Sequence, residues 1–142
     1  LDTIIHSVIE FFDNVEQVKI TYRTQLSHPA LVLVDKDQLI RVLNNLLNNA
    51  IQAIPNGRKG EIDVCLRVSE SHVVVRIQDN GVGIRQENKH RIFVPNFTTK
   101  SNGTGLGLAM VKSIVEQNQG SAYFRSKVDK GASFFISLPR QS

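Results

Sequence analysis

Two glycine clusters constrain this chain more than any other feature: Asp79-Asn80-Gly81-Val82-Gly83 and Gly103-Thr104-Gly105-Leu106-Gly107. They hold five of the nine glycines, and each sits at the end of an ordered run. Glycine has no side chain and tolerates positive φ, so such clusters mark points where backbone closely approaches something. The first follows a β-rich run, and the second opens into the apolar Leu106-Gly107-Leu108-Ala109-Met110-Val111. A fold for this chain must bring both points to places where close approach is useful.

Bulk properties narrow the class. A chain of 142 residues makes one domain, residues 1–142, with its own core. With 41% hydrophobic and 21% charged residues it is globular rather than disordered. No apolar stretch approaches the ~18 residues of a membrane helix, and no secretory pattern is present. The start at Leu1, without methionine, suggests a piece of a longer protein whose anchor lies elsewhere. The net charge is +4, but the Lys and Arg are scattered and aromatics reach only 6%, which argues against a nucleic-acid partner. Cys65 stands alone, so it forms no internal disulfide and reads as a small core residue in a reducing compartment.

Periodicity predicts the elements. Residues 2–14 form an amphipathic helix with Ile4, Ile5, Val8, Ile9 and Phe12 on one side. Val18 to Tyr22 alternates as a strand, and Leu31-Val32-Leu33-Val34 reads as a short buried strand. Asp35 caps a long helix reaching about Ile54, stopped by Pro55-Asn56-Gly57. Glu61 to Val68 and His72 to Gln78 form a hairpin pair. A mostly polar stretch follows from Asp79 to Asn102, with a helical turn near Glu87 to Phe93; so long a connection is usually functional. A helix from about Gly105 to Gln119 and strands Ala122 to Val128 and Ser133 to Leu138 complete the chain. The class is α/β, with about three helices against a mixed sheet of about five strands.

The long helix carries Asn44, Asn45, Asn48 and Asn49. Asparagine costs roughly 0.5 kcal/mol or more against alanine inside a helix, so a merely wet face would use Glu and Lys more cheaply. A solvated face remains the plain alternative. The other reading is that some amide oxygens meet a ligand, and such oxygens suit a hard cation such as Mg²⁺.

At the first cluster, Asp79 ends a strand, where its carboxylate can accept from an exocyclic amine, and Gly81 and Gly83 let a flat ring approach. An ordinary Asp-Asn-Gly turn uses the same residues. At the second, bare N–H groups at a helix start form an anion site. The chain has no G-x-x-x-x-G-K-[ST], and Gly103-x-Gly105-x-Gly107 lacks the dinucleotide spacing and follows a polar loop. Protein-kinase signatures are absent too. Between the clusters, Phe93 and Phe97 read as hinge anchors of a lid, with Lys100 reaching over phosphates.

The order of these elements resembles the catalytic ATP-binding domain of bacterial two-component sensor histidine kinases, within the superfamily that includes gyrase, heat-shock chaperones and mismatch-repair ATPases. Asn45-Leu46-Leu47-Asn48-Asn49-Ala50 looks like the family's N box, and Asp79 to Ile84 like its first glycine box. Phe93 to Lys100 looks like the F box, Asn102 to Leu108 like the second glycine box, and Gly131-Ala132-Ser133-Phe134 like the closing motif. The resemblance implies a two-layer α/β sandwich of the Bergerat type, its sheet covered on one face by helices, binding ATP and Mg²⁺. It implies Asn49 as the metal ligand, Asp79 at the adenine amino group with Gly81 and Gly83 beside it, and Ser133 supporting that contact. Asn45 takes the place where superfamily hydrolases carry a glutamate base, and Lys100 partners the terminal phosphates. Thr99, Gly103, Thr104, Gly105, Leu106 and Gly107 bring lid and helix start to the triphosphate. Two departures stand out: Asn96 replaces an aromatic of the F box, and Gln52-Ala53 replaces a basic-aromatic pair.

The implied reaction is transfer of the γ-phosphate to a histidine on a separate dimerisation domain, expected upstream. None of the four histidines here has the acceptor's sequence context. A response-regulator receiver would take the phosphate onward. The full protein would be a homodimer, anchored in the inner membrane with this domain in the cytoplasm. The rivals are an ATPase of the gyrase or chaperone type and a nucleotide-holding docking module without kinase activity.

Overall fold

The computed structural model describes residues 1–12, 17–94 and 107–141. Within them the chain runs α1 (Asp2–Phe12), β1 (Val18–Leu26), α2 (Lys36–Gln52), β2 (Gly60–Val68), β3 (His72–Asp79), a 3₁₀ turn (Gln86–Asn88), α3 (Gly107–Gln117), β4 (Ser121–Lys127) and β5 (Gly131–Pro139). The five strands make one sheet in the order β1-β2-β3-β5-β4. β1 pairs with β2 in parallel, and every other pair is antiparallel. A parallel neighbour needs a crossover, and α2 supplies it.

The two periodicities meet in the core. α2 buries Leu39, Val42, Leu43, Leu46, Leu47 and Ala50, a helical stripe. It faces the even-numbered residues of β2, Ile62, Val64, Leu66 and Val68, with Val73, Val75 and Ile77 of β3 and Phe134, Ile136 and Leu138 of β5. Asp35 caps α2, its Oδ1 accepting from the N–H groups of Asp37 at 2.8 Å and Gln38 at 3.2 Å. α1 is tied to β1 by the Tyr22 hydroxyl, which donates to Asp2 Oδ1 at 2.5 Å. Burial first, then the Asp2 carboxylate, holds the Tyr22 phenol far above its usual range.

The opposite face of the sheet is open. Its side chains follow the register in rows, Thr21-Asp63-Gln78-Ser133-Arg125 and Arg23-Cys65-Arg76-Phe135-Tyr123. Asp63 receives Arg23 at 2.6 Å and Arg76 at 2.7 Å. The Arg23 hydrogen bond, above all, holds the Asp63 carboxyl below the usual carboxylate range. Tyr123 and Phe135 stack at 4.8 Å, and Arg125 lies over the Phe135 ring. Six basic side chains, Lys19, Arg23, Arg67, Arg76, Arg125 and Lys127, share this face with only two acids, Glu61 and Asp63.

One expected strand is not there. Leu31 to Val34 joins no ladder. Ala30, Val32 and Val34 pack against the core, while Leu31 and Leu33 stay exposed. The run alternates like a strand, but no neighbouring strand completes a ladder; Leu31 instead accepts one bond from the Gln141 N–H at 2.7 Å.

Candidate functional site

β3 ends at Asp79, the one polar or charged residue among the buried ones of the described chain, 3% exposed. Its Oδ1 accepts from the Gly81 N–H at 2.9 Å and the Ala132 N–H at 3.3 Å. A buried carboxylate carries a large desolvation cost, which these backbone donors offset in part. The turn after it is bound on two sides. Toward the end of α2, Val82 N–H donates to Ala53 O at 3.0 Å. Asn80 Oδ1 accepts from Glu61 N–H at 2.8 Å and its Nδ2 donates to Lys59 O at 3.0 Å. Arg58 Nη1 donates to Asn80 O at 2.8 Å and Gly81 O at 3.0 Å. Toward the β4–β5 turn, Ile84 N–H donates to Ser126 Oγ at 2.6 Å and Asp129 N–H to Val82 O at 2.7 Å.

The glycines here admit the protein's own backbone. A Cβ on Gly81 would collide with the Ala53 carbonyl. At Gly83, with φ +74°, it would collide with the Lys127 carbonyl. Gly131, at φ +102°, clears the Asp79 carbonyl in the same way. The closeness read from sequence is real, and in this structure the chain itself fills the space where side chains would stand.

α2 brings the asparagine face up to the start of α3. Asn45 Nδ2 donates to Arg41 O at 2.8 Å, and a Cβ on Gly107 would lie 2.6 Å from Asn45 Oδ1. Gly107 therefore lets the first turn of α3 reach the α2 amide. Arg41 crosses the same seam to Met110 Sδ at 3.0 Å. Asn44, Asn45 and Asn49 are half-buried, while Asn48 is exposed. Phe93 contacts Phe124 and Phe134 edge-on, with centroids 6.0 and 6.5 Å apart, and so anchors the chain where the expected lid begins. Phe97, Thr99, Lys100, Gly103, Thr104, Gly105 and Leu106 lie outside the described residues.

Ser133 lies on the other face of the sheet from the Asp79 carboxylate. It pairs with Gln78, not Asp79, and its Oγ donates to Gln78 Oε1 at 3.3 Å on the open face of the sheet. Side chains alternate along a strand, so Ser133 points away from the Asp79 carboxylate and Ala132 faces it, through its N–H. Sequence reasoning also missed Arg58 and Ser126. Alternation outward from Phe134 was the signal available for Ala132; a lone Arg and a lone Ser in loop and edge strand gave none.

A sheet lined by three helices on one side, with a buried carboxylate at a strand end beside an asparagine-bearing helix, defines a nucleotide-binding sandwich. The model for the family described as histidine kinase-, DNA gyrase B- and HSP90-like ATPase matches residues 34–142, and the chain belongs to that family. Sensor histidine kinase ZraS of Escherichia coli O157:H7 is 39% identical over 142 residues, which cover 98% of this chain and 30% of that protein. The chain thus spans about a third of the length of such relatives. The nucleotide-free catalytic domain of histidine kinase ThkA matches with TM-score 0.83 and 30% identity, over 99% of this chain and 92% of that one. ThkA in complex with the response regulator protein TrrA matches with TM-score 0.80 and 26% identity, over 99% of this chain and 40% of that one. The chain is an ATP-binding catalytic domain of the sensor histidine kinase type.

Proposed function

We propose that this domain binds Mg²⁺-ATP and hands the γ-phosphate to a histidine on the dimerisation domain of its own full-length protein. Asp79 carries the reading: a carboxylate only 3% exposed, at the end of a strand in an otherwise apolar core, suits the adenine amino group as a donor. Its Oδ1 is oriented by two backbone N–H groups, which fixes the carboxylate before nucleotide arrives.

Among the described residues no group of three or more His, Cys, Asp or Glu could hold a metal. A divalent ion would rely on amide oxygen and phosphate, which fits Mg²⁺, a cation that takes few protein ligands. Asn49 would hold it, and the ion would neutralise charge between the phosphates. Lys100, Thr99 and the segment Gly103 to Gly107 are assigned to the triphosphate. Asn45 offers no carboxylate to activate water, and its amide already donates to Arg41 O. An imidazole acceptor needs less activation than water, so this favours transfer over hydrolysis. The ThkA–TrrA complex supports a receiver domain as the next acceptor. The intact protein is assigned as a homodimer anchored in the inner membrane, with this domain on the cytoplasmic side.

The test mixes the chain with its own dimerisation domain, ATP and Mg²⁺. Acid-labile phosphate on the dimerisation domain is expected. Rapid release of free phosphate with no labelled dimerisation domain would instead assign an ATPase.

A further inference from the structure

We propose that Arg58 is a positioning residue for adenine recognition, acting on Asp79 through a single peptide group. The inference rests on the reading that Asp79 accepts from adenine. Arg58 lies in the loop between α2 and β2, just after Gly57 at φ +87°. Its Nη1 donates to Asn80 O at 2.8 Å, and the N–H of that same peptide, on Gly81, donates to Asp79 Oδ1 at 2.9 Å. A cation on the carbonyl oxygen polarises the amide and strengthens the N–H as a donor. The plane of the peptide is fixed at both ends, and with it one oxygen of the carboxylate.

The next peptide is held in the same way. Arg58 Nη1 also donates to Gly81 O at 3.0 Å, while the N–H of that peptide, on Val82, donates to Ala53 O at 3.0 Å. One guanidinium nitrogen thus caps two consecutive peptide oxygens whose nitrogens point to Asp79 and to the end of α2. These bonds are half-buried, where charge-assisted donors hold direction well. The asparagine helix and the adenine turn become one rigid unit through the loop between them. A lysine would supply the charge as a point source without the planar fork.

The experiment compares ATP with purine riboside triphosphate, which lacks the 6-amino group, on the 142-residue chain by calorimetry. Arg58→Met should weaken ATP about tenfold, one hydrogen-bond equivalent, and leave the analogue nearly unchanged, so that discrimination falls. Arg58→Lys should restore part of it. In hydrogen exchange, Gly81 and Val82 should exchange faster in Arg58→Met while α2 core amides do not. Equal weakening of both nucleotides, or unchanged discrimination, overturns the role of Arg58 provided Asp79→Asn still erases discrimination. If Asp79→Asn leaves discrimination intact, the adenine assignment itself fails and the role of Arg58 falls with it. Should Arg58→Met not fold, Arg58→Lys decides: wild-type discrimination and exchange at Gly81 overturn the proposal, and an intermediate loss of both supports it.

Discussion

The two ends of the proposed nucleotide site are built differently. At the adenine end, the turn from Asp79 to Ile84 is bonded to the α2–β2 loop on one side and to Ser126 and Asp129 on the other. Its glycines sit against carbonyls of the same chain. At the phosphate end, Gly107 meets a side-chain amide, that of Asn45, and Arg41 reaches a thioether. Main chain packed on main chain has one geometry, whereas side-chain amides and thioethers can rotate. On the proposed reading, the base meets a mould and the phosphates meet groups that can follow a reaction.

That contrast is open to test. The largest effect should come at the centre of the mould. Asp79→Asn keeps an oxygen for the Gly81 and Ala132 N–H groups, so the fold should hold. It presents a donor to the adenine amine, so ATP affinity should drop about a hundredfold or more by calorimetry. Unchanged affinity would remove adenine from this end.

Next comes the mould's own backbone. Gly83→Ala puts a Cβ at φ +74° against the Lys127 carbonyl and should cost about 2–3 kcal/mol in thermal or urea unfolding. A loss under about 0.5 kcal/mol would mean that the turn yields, and the contrast with it.

Asn49→Asp tests the phosphate end. Phosphotransfer should fall about tenfold with ATP affinity changed less, as expected of a group that matters more to the reacting state than to binding. Equal losses would make Asn49 part of the mould.

The smallest effect lies on the open face of the sheet, opposite the helices. Asp63 is held below the usual carboxylate range by Arg23 and Arg76. A lowered folded-state value gives stability that is present above about pH 4 and lost as pH falls through that lower value. Asp63→Asn should therefore cost about 1 kcal/mol at neutral pH, this being an exposed network, and the gap to wild type should narrow as pH falls below about 4. Nucleotide affinity should not move.

What was legible in the sequence follows from local rules. The α2 stripe, its Asp35 cap and the β2–β3 hairpin are written in spacing and turn chemistry, and all three are present. Leu31 to Val34 failed because alternation reports only which side chains go inward, and a strand also needs a neighbour with free N–H and C=O groups. The position of Ser133 on the open face was not legible because a motif names residue types, while the face of a strand is set by parity. Arg58 was silent for another reason: its partners are 22 and 23 residues along the chain. No local pattern shows that a loop cation will fold back over a turn made so much later.

The open face of the sheet has a consequence for the molecule as a whole. Its six basic and two acidic side chains give a net +4, equal to the formal excess of the whole sequence. A single face with that excess carries a concentrated positive field. At low ionic strength that face is drawn toward anionic surfaces, and the attraction fades as salt rises.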